Sequence, residues 1–137
     1  MKVTVIAIGD ELLIGQVTDT NSGDIARFLA PYGWELESVN VVHDSAQAIT
    51  GAIESAFACT DVVLTTGGLG PTKDDITKQV LMNLFGGELY RNEEVLENVK
   101  RIFNMKGLPL NRLTADQALV PTSCKVIQNS VGTAPIM

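Results

Sequence analysis

The sequence predicts an α/β fold in which a parallel sheet carries helices on both faces. Short apolar runs rich in β-branched residues, typical of buried strands, alternate with longer stretches in which apolar residues recur at helical spacing. This order of strand and helix occurs three times between residues 1 and 85. Right-handed crossovers convert such an order into a parallel sheet.

The length and composition favour a single globular domain over residues 1–137. No apolar run approaches the roughly 20 residues of a membrane-spanning helix, and the N-terminus lacks the order of a signal peptide. We therefore expect a cytoplasmic protein without a membrane partner. The formal net charge of −6 argues against nucleic acid as a partner. Cys59, Cys124 and the single histidine, His43, form no zinc-binding pattern, and both cysteines are expected in the core.

The first strand and the first helix are predicted from a buried apolar run and a capped amphipathic stretch. The strand covers Lys2–Ile8, where the near-continuous apolar run indicates burial on both faces. Residues 9–15, bounded by glycines, predict a loop or short turn. Asn21, with Asp24 three residues later, predicts the capped start of a helix that ends at Gly33.

The next strand, helix and strand follow from similar patterns. Residues 34–42 alternate and become apolar at their end, which predicts an edge strand. Asp44 and Gln47 have capping-box spacing and predict the start of a second helix. Apolar residues recur along that helix, namely Ile49, Ile53, Ala56 and Phe57. Residues 62–65 predict a third, buried strand, followed by an amphipathic helix that two glycines end.

The last third of the chain predicts two helices, a strand and a turn. Asn92 caps a fourth helical pattern, and residues 111–119 contain a threonine and a glutamine at capping-box spacing, which predicts a further short helix. Residues 124–128 predict a strand, and residues 129–135 a turn. The chain then stops at Met137, so we expect the strand or hairpin beyond that turn to be missing.

The segment TTGGLGPTKDD at residues 65–75 departs from core-building patterns and connects the third strand to the following helix. Its glycines are Gly67, Gly68 and Gly70. They remove Cβ atoms that would keep a ligand from the backbone, and they allow N–H groups to converge on an anion. The dipole of the following helix adds positive potential. Asp74 and Asp75 would repel a phosphate unless a cation lay between the carboxylates and the phosphate. The segment therefore predicts a metal-assisted phosphate site.

Three loops leave strands at one edge of the predicted sheet. They begin at Gly9, His43 and Gly67, and parallel sheets bind ligands beyond the carboxyl ends of their strands. Acidic side chains follow two of these strand ends, namely Asp10, Glu11 and Asp44. We expect them to converge on the glycine-rich segment.

Common nucleotide and hydrolase motifs are absent from the sequence. The glycine-rich segment is not GxxxxGK[ST], because Thr72 stands where the second glycine would be, and it contains no GxGxxG. P-loop kinases and NAD-dependent dehydrogenases are therefore excluded. The lack of GxSxG, with one histidine to serve as base, disfavours a serine or cysteine hydrolase.

Three motifs stand together in the sequence, namely GDELLIG at residues 9–15, TTGGLGPTKDD at residues 65–75 and NSVGTAP at residues 129–135. In this order and spacing they closely resemble the N-terminal domain of the CinA, or competence/damage-inducible, family. The resemblance extends from the first strand to the last residue and places the chain in the molybdopterin-binding superfamily with MogA, MoaB and the central domain of MoeA. It implies a three-layer α/β/α sandwich with a mostly parallel central sheet and a ligand cleft at the strand ends. It also implies metal-dependent hydrolysis of ADP-ribose or a related dinucleotide pyrophosphate, without the deamidase domain of full-length CinA proteins.

The same resemblance implies a divalent cation, Mg²⁺, Mn²⁺ or Co²⁺, as cofactor. Asp75 matches a cleft carboxylate in an Asp-x-Thr pattern completed by Thr77, and Asp44 matches a second one. Hard cations favour such oxygen ligands. Asp10 and Glu11 are candidates to bind the metal, act as general base or hold a ribose hydroxyl. We expect Asp75, Asp44 and Glu11 to carry the chemistry, with the metal between Asp44 and Asp75.

The remaining matched positions imply contacts with the ligand. The glycine backbone would wrap a phosphate, Thr66 and Thr72 would offer hydroxyls, and Asn21 and Asn129 suit sugar or base recognition. The full set expected to bind substrate is Gly9, Asp10, Asn21, Thr66, Gly67, Gly68, Gly70, Thr72, Asp74, Asn129, Gly132 and Thr133.

Structural explanations compete with these roles. Residues 72–75 make a good helix start, and Asp44 is a candidate N-cap. Asp10 would close the turn after the first strand, His43 would merely follow a strand, and residues 132–133 would form a tight turn.

Three functions follow from these interpretations. The leading hypothesis is an enzyme that hydrolyses a nucleotide pyrophosphate. The second is a pterin-binding or molybdopterin-processing domain, and the third is a non-catalytic scaffold for oligomerisation. The expected partner is thus a small nucleotide or pterin, and the resemblance implies a homo-oligomer.

Overall fold

The computed structural model describes residues 1–70 and 76–137, which form two compact units, Met1–Gly68 and Leu69–Met137. The last five residues of the glycine-rich segment, 71–75, lie outside the described residues. The single domain expected over residues 1–137 stays a prediction.

The first unit contains the strands and helices expected for its half of the chain. They are β1 (Lys2–Ile8), α1 (Asp10–Leu13), α2 (Asn21–Leu29), a 3₁₀ turn (Ala30–Tyr32), β2 (Glu35–Val42), α3 (Ala46–Phe57) and β3 (Val62–Thr66). The order of strand and helix is confirmed. The predicted loop after β1 contains one additional helical turn, α1.

β1 lies between β2 and β3 in one parallel sheet. Four of its side chains are 0% exposed, namely Val3, Val5, Ile6 and Ala7. Ile8 pairs with Val42 and Ala7 with Thr66, so the three strands end at nearly the same level. This arrangement confirms the predicted α/β class with its parallel sheet, and it confirms that the loops after these strands leave at one edge.

Two predicted helix caps in this unit are wrong by one or two residues. α3 is capped by Ser45 and not by Asp44, because the Ser45 hydroxyl accepts a hydrogen bond from the Ala48 amide at 3.3 Å. At α2 the Asp19 carboxylate accepts the Ser22 amide at 3.1 Å, whereas Asn21 is the first helical residue. Both caps remain of the type that satisfies the free N–H groups of a helix start.

β3 ends in a turn with two consecutive glycines at positive φ. Gly67 has a φ of +88° and Gly68 a φ of +64°, both in the left-handed region. A Cβ atom on Gly67 would lie 2.0 Å from the backbone oxygen of Ile8, the last residue of β1. The glycine therefore lets the backbone after β3 pass directly beside the end of β1.

The second unit packs helices around a short antiparallel pair of strands. Its elements are α4 (Thr77–Phe85), β4 (Leu89–Arg91), α5 (Glu93–Met105), α6 (Arg112–Ala115), a 3₁₀ turn (Asp116–Ala118) and β5 (Leu119–Pro121). The predicted cap of α5 is confirmed, since the Asn92 side chain accepts the Val95 amide at 3.0 Å. A small core forms where α5 meets the segment before β5, from Val95, Leu96, Val99 and Ala118.

Two predictions for this unit are corrected. The strand expected over residues 124–128 is wrong, because within it only Ile127 forms an isolated bridge, to Ile136. The strand that pairs with β4 is instead β5, where Val120 and Pro121 are buried. The short helix within residues 111–119 exists, but Asn111 caps it.

The two cysteines do not share one environment. Cys59 is exposed, which contradicts its expected place in the core. Cys124 is half-buried, and burial raises the pKa of its thiol, which donates to the Pro121 oxygen at 3.1 Å. Among the residues that the structure describes, no helix is both long and apolar enough to cross a membrane.

Truncation of Ile6 to alanine tests the central position of β1. The side chain is fully buried, so Ile6→Ala is expected to lower the free energy of unfolding by about 2–5 kcal/mol, measured by urea denaturation. Ile14→Ala is the matched control, because Ile14 is 66% exposed and its loss should change the free energy by less than about 0.5 kcal/mol. Equal effects of the two changes would contradict the assignment of β1 to the centre of the sheet.

A pair of glycine variants tests the turn after β3. Gly67→Ala is expected to destabilise the fold by more than about 1 kcal/mol, because the added methyl group meets the Ile8 carbonyl and the left-handed backbone disfavours alanine. Gly51→Ala, in the interior of α3 where a Cβ meets open space, should stabilise by roughly 0.5–1 kcal/mol. Thermal unfolding measures both, and a Gly67→Ala protein as stable as the parent would show that the turn tolerates a side chain.

Candidate functional site

A cleft of about 170 Å³ opens beside the carboxyl ends of β1 and β3 in the first unit. Its lining comes from the end of β1, the following loop, the start of α2 and the end of β3, namely Ile8, Glu11, Leu12, Val17, Thr18, Asp19, Thr20, Asn21, Thr66 and Gly67. Parallel sheets bind ligands at such a position. Four predicted site residues therefore share one cleft: Glu11, Asn21, Thr66 and Gly67.

The loop after β1 is folded by its own backbone. The Gly9 amide donates to the Val42 carbonyl at 3.1 Å, which continues the contact between β1 and β2 beyond the strand. The Glu11 carbonyl then accepts the amides of Gln16 and Val17 at 3.0 and 3.2 Å. These bonds fold the loop around α1, whose first turn carries the acidic pair Asp10 and Glu11.

The carboxylate of Glu11 folds back over Gly9. A Cβ atom on Gly9 would lie 2.5 Å from Glu11 Oε1, so the glycine leaves room for the carboxylate. Gly9 is buried, whereas Glu11 is exposed and lines the cleft. An ionised carboxylate only accepts hydrogen bonds, so Glu11 suits a cation, a water or a hydroxyl donor.

Asp10 has a partner within the protein. Its Oδ1 lies 2.6 Å from His43 Nδ1, across the ends of β1 and β2, and both side chains are exposed. Because the carboxylate accepts, the histidine ring nitrogen donates. His43 therefore does more than follow a strand, and Asp10 does not line the cleft that Glu11 lines.

Asp44 follows His43 at the end of β2 and is half-buried. The Ser45 amide donates to the His43 carbonyl at 2.8 Å, which places Asp44 within a tight turn before α3. The explanation of Asp44 as a helix cap is wrong, since Ser45 has that role. Its assignment as a metal ligand stays a prediction.

The start of α2 contributes a residue that the sequence interpretation missed. Asp19 lines the cleft, and its two carboxylate oxygens accept the amide and the hydroxyl of buried Ser22. The signal was present in the residue type, because aspartate is among the residues preferred at a helix start, where its carboxylate accepts a backbone amide two or three residues later. Asp19 thus holds Thr20 and Asn21 at the rim of the cleft.

The second unit contains four of the predicted binding residues that the structure describes, namely Gly70, Asn129, Gly132 and Thr133, whereas Gly68 ends the first unit and does not line the cleft. The side chain of Asn129 is occupied within its own loop. Its Oδ1 accepts the amides of Val131 and Gly132 at 3.1 and 3.0 Å, and its Nδ2 donates to the Ala134 carbonyl at 3.0 Å. This gives Asn129 a structural role, and a direct contact with ligand stays a prediction.

Thr72, Asp74 and Asp75 lie outside the described residues. Within the described ranges, no three histidine, cysteine, aspartate or glutamate side chains stand together as a metal-binding group. The described residues thus bring two carboxylates, those of Glu11 and Asp19, several hydroxyls and a glycine backbone into one cleft, with the contact between Asp10 and His43 at the neighbouring strand end.

The sequence matches a family model described as "Probable molybdopterin binding domain" over residues 4–137. It is similar to a CinA-like protein of Flavobacterium psychrophilum, with 44% identity over all of this chain and 33% of that protein. It is 42% identical to a putative competence-damage inducible protein of Alkaliphilus oremlandii, over 98% of this chain and 33% of that protein. The chain spans about a third of the length of these curated relatives.

Solved structures confirm the fold class. The protein CinA with unknown function from Thermoplasma acidophilum matches with a TM-score of 0.85 and 34% identity, over 98% of this chain and 79% of that one. The tungsten cofactor synthesizing protein MoaB from Pyrococcus furiosus matches with a TM-score of 0.60 and 25% identity, over 87% of this chain and 77% of that one.

The motif-based resemblance to the CinA family is confirmed by these relatives. The family model covers nearly the whole chain, including both units and all three motifs. The chain belongs to the family of probable molybdopterin-binding domains, and its relatives there are CinA-like proteins.

Proposed function

We propose that this domain binds a nucleotide pyrophosphate of the ADP-ribose type and hydrolyses it with a divalent cation, Mg²⁺, Mn²⁺ or Co²⁺. Water adds to one phosphorus, the bond from that phosphorus to the bridging oxygen breaks, and AMP and ribose 5-phosphate leave. The observation that supports this proposal is the cleft at the ends of β1 and β3, in which a carboxylate, hydroxyls and a glycine backbone meet.

Each kind of lining group matches a group on such a ligand. Gly67 lines the cleft with its backbone, which a phosphate can contact. The hydroxyls of Thr18, Thr20 and Thr66 can donate to phosphate oxygens, and the side-chain oxygen of Asn21 can accept from a ribose hydroxyl. The lining thus offers donors for the phosphates and an acceptor for the sugar.

The chemistry of the donor set suits a hard divalent cation. Magnesium-like ions prefer carboxylate and hydroxyl oxygens, and they typically share one or two protein carboxylates with substrate phosphates and water. Asp44 is the described residue assigned to this role, and Asp75 is assigned by the motif alone. When bound, the cation would neutralise the pyrophosphate and activate a water.

Glu11 is assigned to receive the proton of the attacking water. Its carboxylate lies folded over Gly9 within the cleft, which holds it near the strand ends. Asp10 is assigned to orient His43, with which it already shares a hydrogen bond, and not to bind the cation. Asn21, at the rim of the cleft, is assigned to the sugar or the base.

A pterin ligand is the second candidate. The matching family is described as molybdopterin-binding, and MoaB of Pyrococcus furiosus is described as a tungsten cofactor synthesizing protein. A phosphorylated pterin would present the cleft with a phosphate and ring donors similar to those of a nucleotide. In that case the domain would bind its ligand without breaking a pyrophosphate.

The Glu11→Gln variant tests the hydrolytic proposal. The parent protein with Mg²⁺, Mn²⁺ or Co²⁺ is expected to release AMP from ADP-ribose, and Glu11→Gln should lower kcat by about 10²–10⁴-fold, because the amide cannot accept the proton. Glu54→Gln, an exposed position in α3, is the matched control and should leave kcat unchanged. Chromatographic measurement of AMP checks both results.

The variants Asp44→Asn and Asp75→Asn distinguish the residues that bind the cation from the residue that accepts the proton. Both should raise the cation concentration needed for half-maximal rate, whereas Glu11→Gln should not. The hydrolytic proposal would be abandoned if neither this chain nor one extended beyond Met137 released AMP with any of the three cations.

A ligand competition decides between nucleotide and pterin. Calorimetric titration should give tighter binding of ADP-ribose with cation than of molybdopterin, since the cleft pairs a carboxylate with a glycine turn suited to a sugar and a phosphate. Tighter binding of molybdopterin would reverse the order of the two functions.

Thermal unfolding tests the hypothesis of a non-catalytic scaffold. That hypothesis would be favoured if neither ligand raised the melting temperature, because a ligand that binds only the native state must stabilise it.

A further inference from the structure

The cleft in the first unit has an apolar part of its lining to which no role is yet assigned. Three apolar side chains line it, those of Ile8, Leu12 and Val17. Ile8 is buried and Leu12 is half-buried, whereas Val17 is 52% exposed. Val17 therefore brings apolar surface to the cleft that its own fold leaves in contact with solvent.

Backbone hydrogen bonds hold Val17 in place. Its amide donates to the Glu11 carbonyl at 3.2 Å, and the Gln16 amide donates to the same oxygen at 3.0 Å. That carbonyl belongs to the peptide bond that joins Glu11 to Leu12, so Val17 lies against the backbone of another lining residue. The branched side chain of valine is stiff at χ1, so little conformational freedom is lost when a ligand packs on it.

The volume of the cleft limits how much of a ligand it encloses. The cleft measures about 170 Å³, below the roughly 300–1,000 Å³ of pockets that bury most of a drug-sized ligand. Part of a dinucleotide would therefore lie outside it. The lining hydroxyls are assigned to the phosphates, and Asn21 can reach the sugar or the edge of a base. The flat faces of the base are left, and apolar side chains are the usual cover for such faces.

A comparison with Ile14 shows what distinguishes Val17 from other exposed apolar residues. Ile14 belongs to the same loop and is 66% exposed, but it does not line the cleft. Single exposed apolar side chains are common on proteins and need no ligand to explain them. The exposed surface of Val17 differs because it borders the cleft in which the ligand is expected.

We propose that Val17 is the ring-binding residue of this cleft, against which one flat face of the adenine of ADP-ribose packs. This inference rests on the proposed function and extends it to the base, whose faces had no assigned contact. The chemistry that Val17 recognises is a flat heteroaromatic ring, which a nucleotide base shares with a pterin.

The Val17→Thr variant tests the contact by affinity, because it keeps the branched shape and replaces one methyl group with a hydroxyl. The Kd of AMP and of ADP-ribose, each with Mg²⁺, should rise about 5-fold, since the ring would cover a hydroxyl without a hydrogen-bond partner. The Kd of ribose 5-phosphate, which has no base, should stay unchanged. Calorimetric titration measures all three, and the melting temperature should not change because Val17 is exposed.

Ile14→Thr is the matched control, because it makes a similar replacement in the same loop away from the cleft. It should leave all three Kd values unchanged. An equal effect of the two variants would overturn the inference, since the loop and not the contact would then be responsible. An equal rise for AMP and ribose 5-phosphate would overturn it for the same reason.

The methyl groups of Val17 report the contact directly. A methyl group over the face of an aromatic ring is shielded, so AMP should move the Val17 methyl proton signals upfield, whereas ribose 5-phosphate should not. Methyl-labelled valine gives these signals, and their loss in Val17→Thr assigns them. Unshifted Val17 signals in a parent protein that binds AMP would overturn the inference, even where ribose 5-phosphate binds too weakly to titrate.

Failure of the proposed function has a different outcome. If the parent protein binds AMP and ADP-ribose but releases no AMP, hydrolysis fails, and the methyl signals still decide the role of Val17. If it binds neither nucleotide, the nucleotide function fails, and neopterin monophosphate replaces AMP as a probe with a flat ring and a phosphate. An upfield shift of the Val17 signals by that pterin would then support the ring-binding role, and no shift would overturn it.

Discussion

The burial of β1 on both faces, from Val3 to Ile8, is the constraint on which the rest of the first unit depends. A strand with no exposed face needs a neighbour at each edge and cover on each side, and β2 and β3 supply the edges. Their parallel register brings three strand ends to one level. Every candidate site residue of this unit lies at the end of a strand at this level, in a loop or turn that follows, or at the start of α2 beside it.

The elements predicted correctly are those whose burial appears as a sequence pattern. The apolar run of β1 and the helical spacing in α3 and α5 each report a buried face, so their positions followed directly. Helix caps were harder, because capping residues stand side by side, as Asp44 and Ser45 do, and local preference does not choose between them. The strand at residues 124–128 was wrong for another reason. β5 pairs instead, although its Pro121 disfavoured a strand, because an edge position tolerates a residue without an N–H group.

The types of residue in the site were predictable from the sequence, whereas the hydrogen-bond partners of those residues were less predictable. The sequence placed Asp10 and Glu11 together, yet only the structure separates Glu11, which lines the cleft, from Asp10, which binds His43. Asn129 was expected to recognise a ligand, but its side chain forms hydrogen bonds within its own loop. The contact between Asp10 and His43 joins residues 33 positions apart in sequence, and spacing alone does not report such a contact.

The contact between His43 and Asp10 has a practical consequence. Because the chain has one histidine, its imidazole gives a single, unambiguous set of ring signals in a proton spectrum. That ring stands at the carboxyl edge of the sheet, against a carboxylate from the neighbouring strand end. The protein therefore carries a built-in spectroscopic reporter at the edge where its ligand is expected, and no label is needed to observe it.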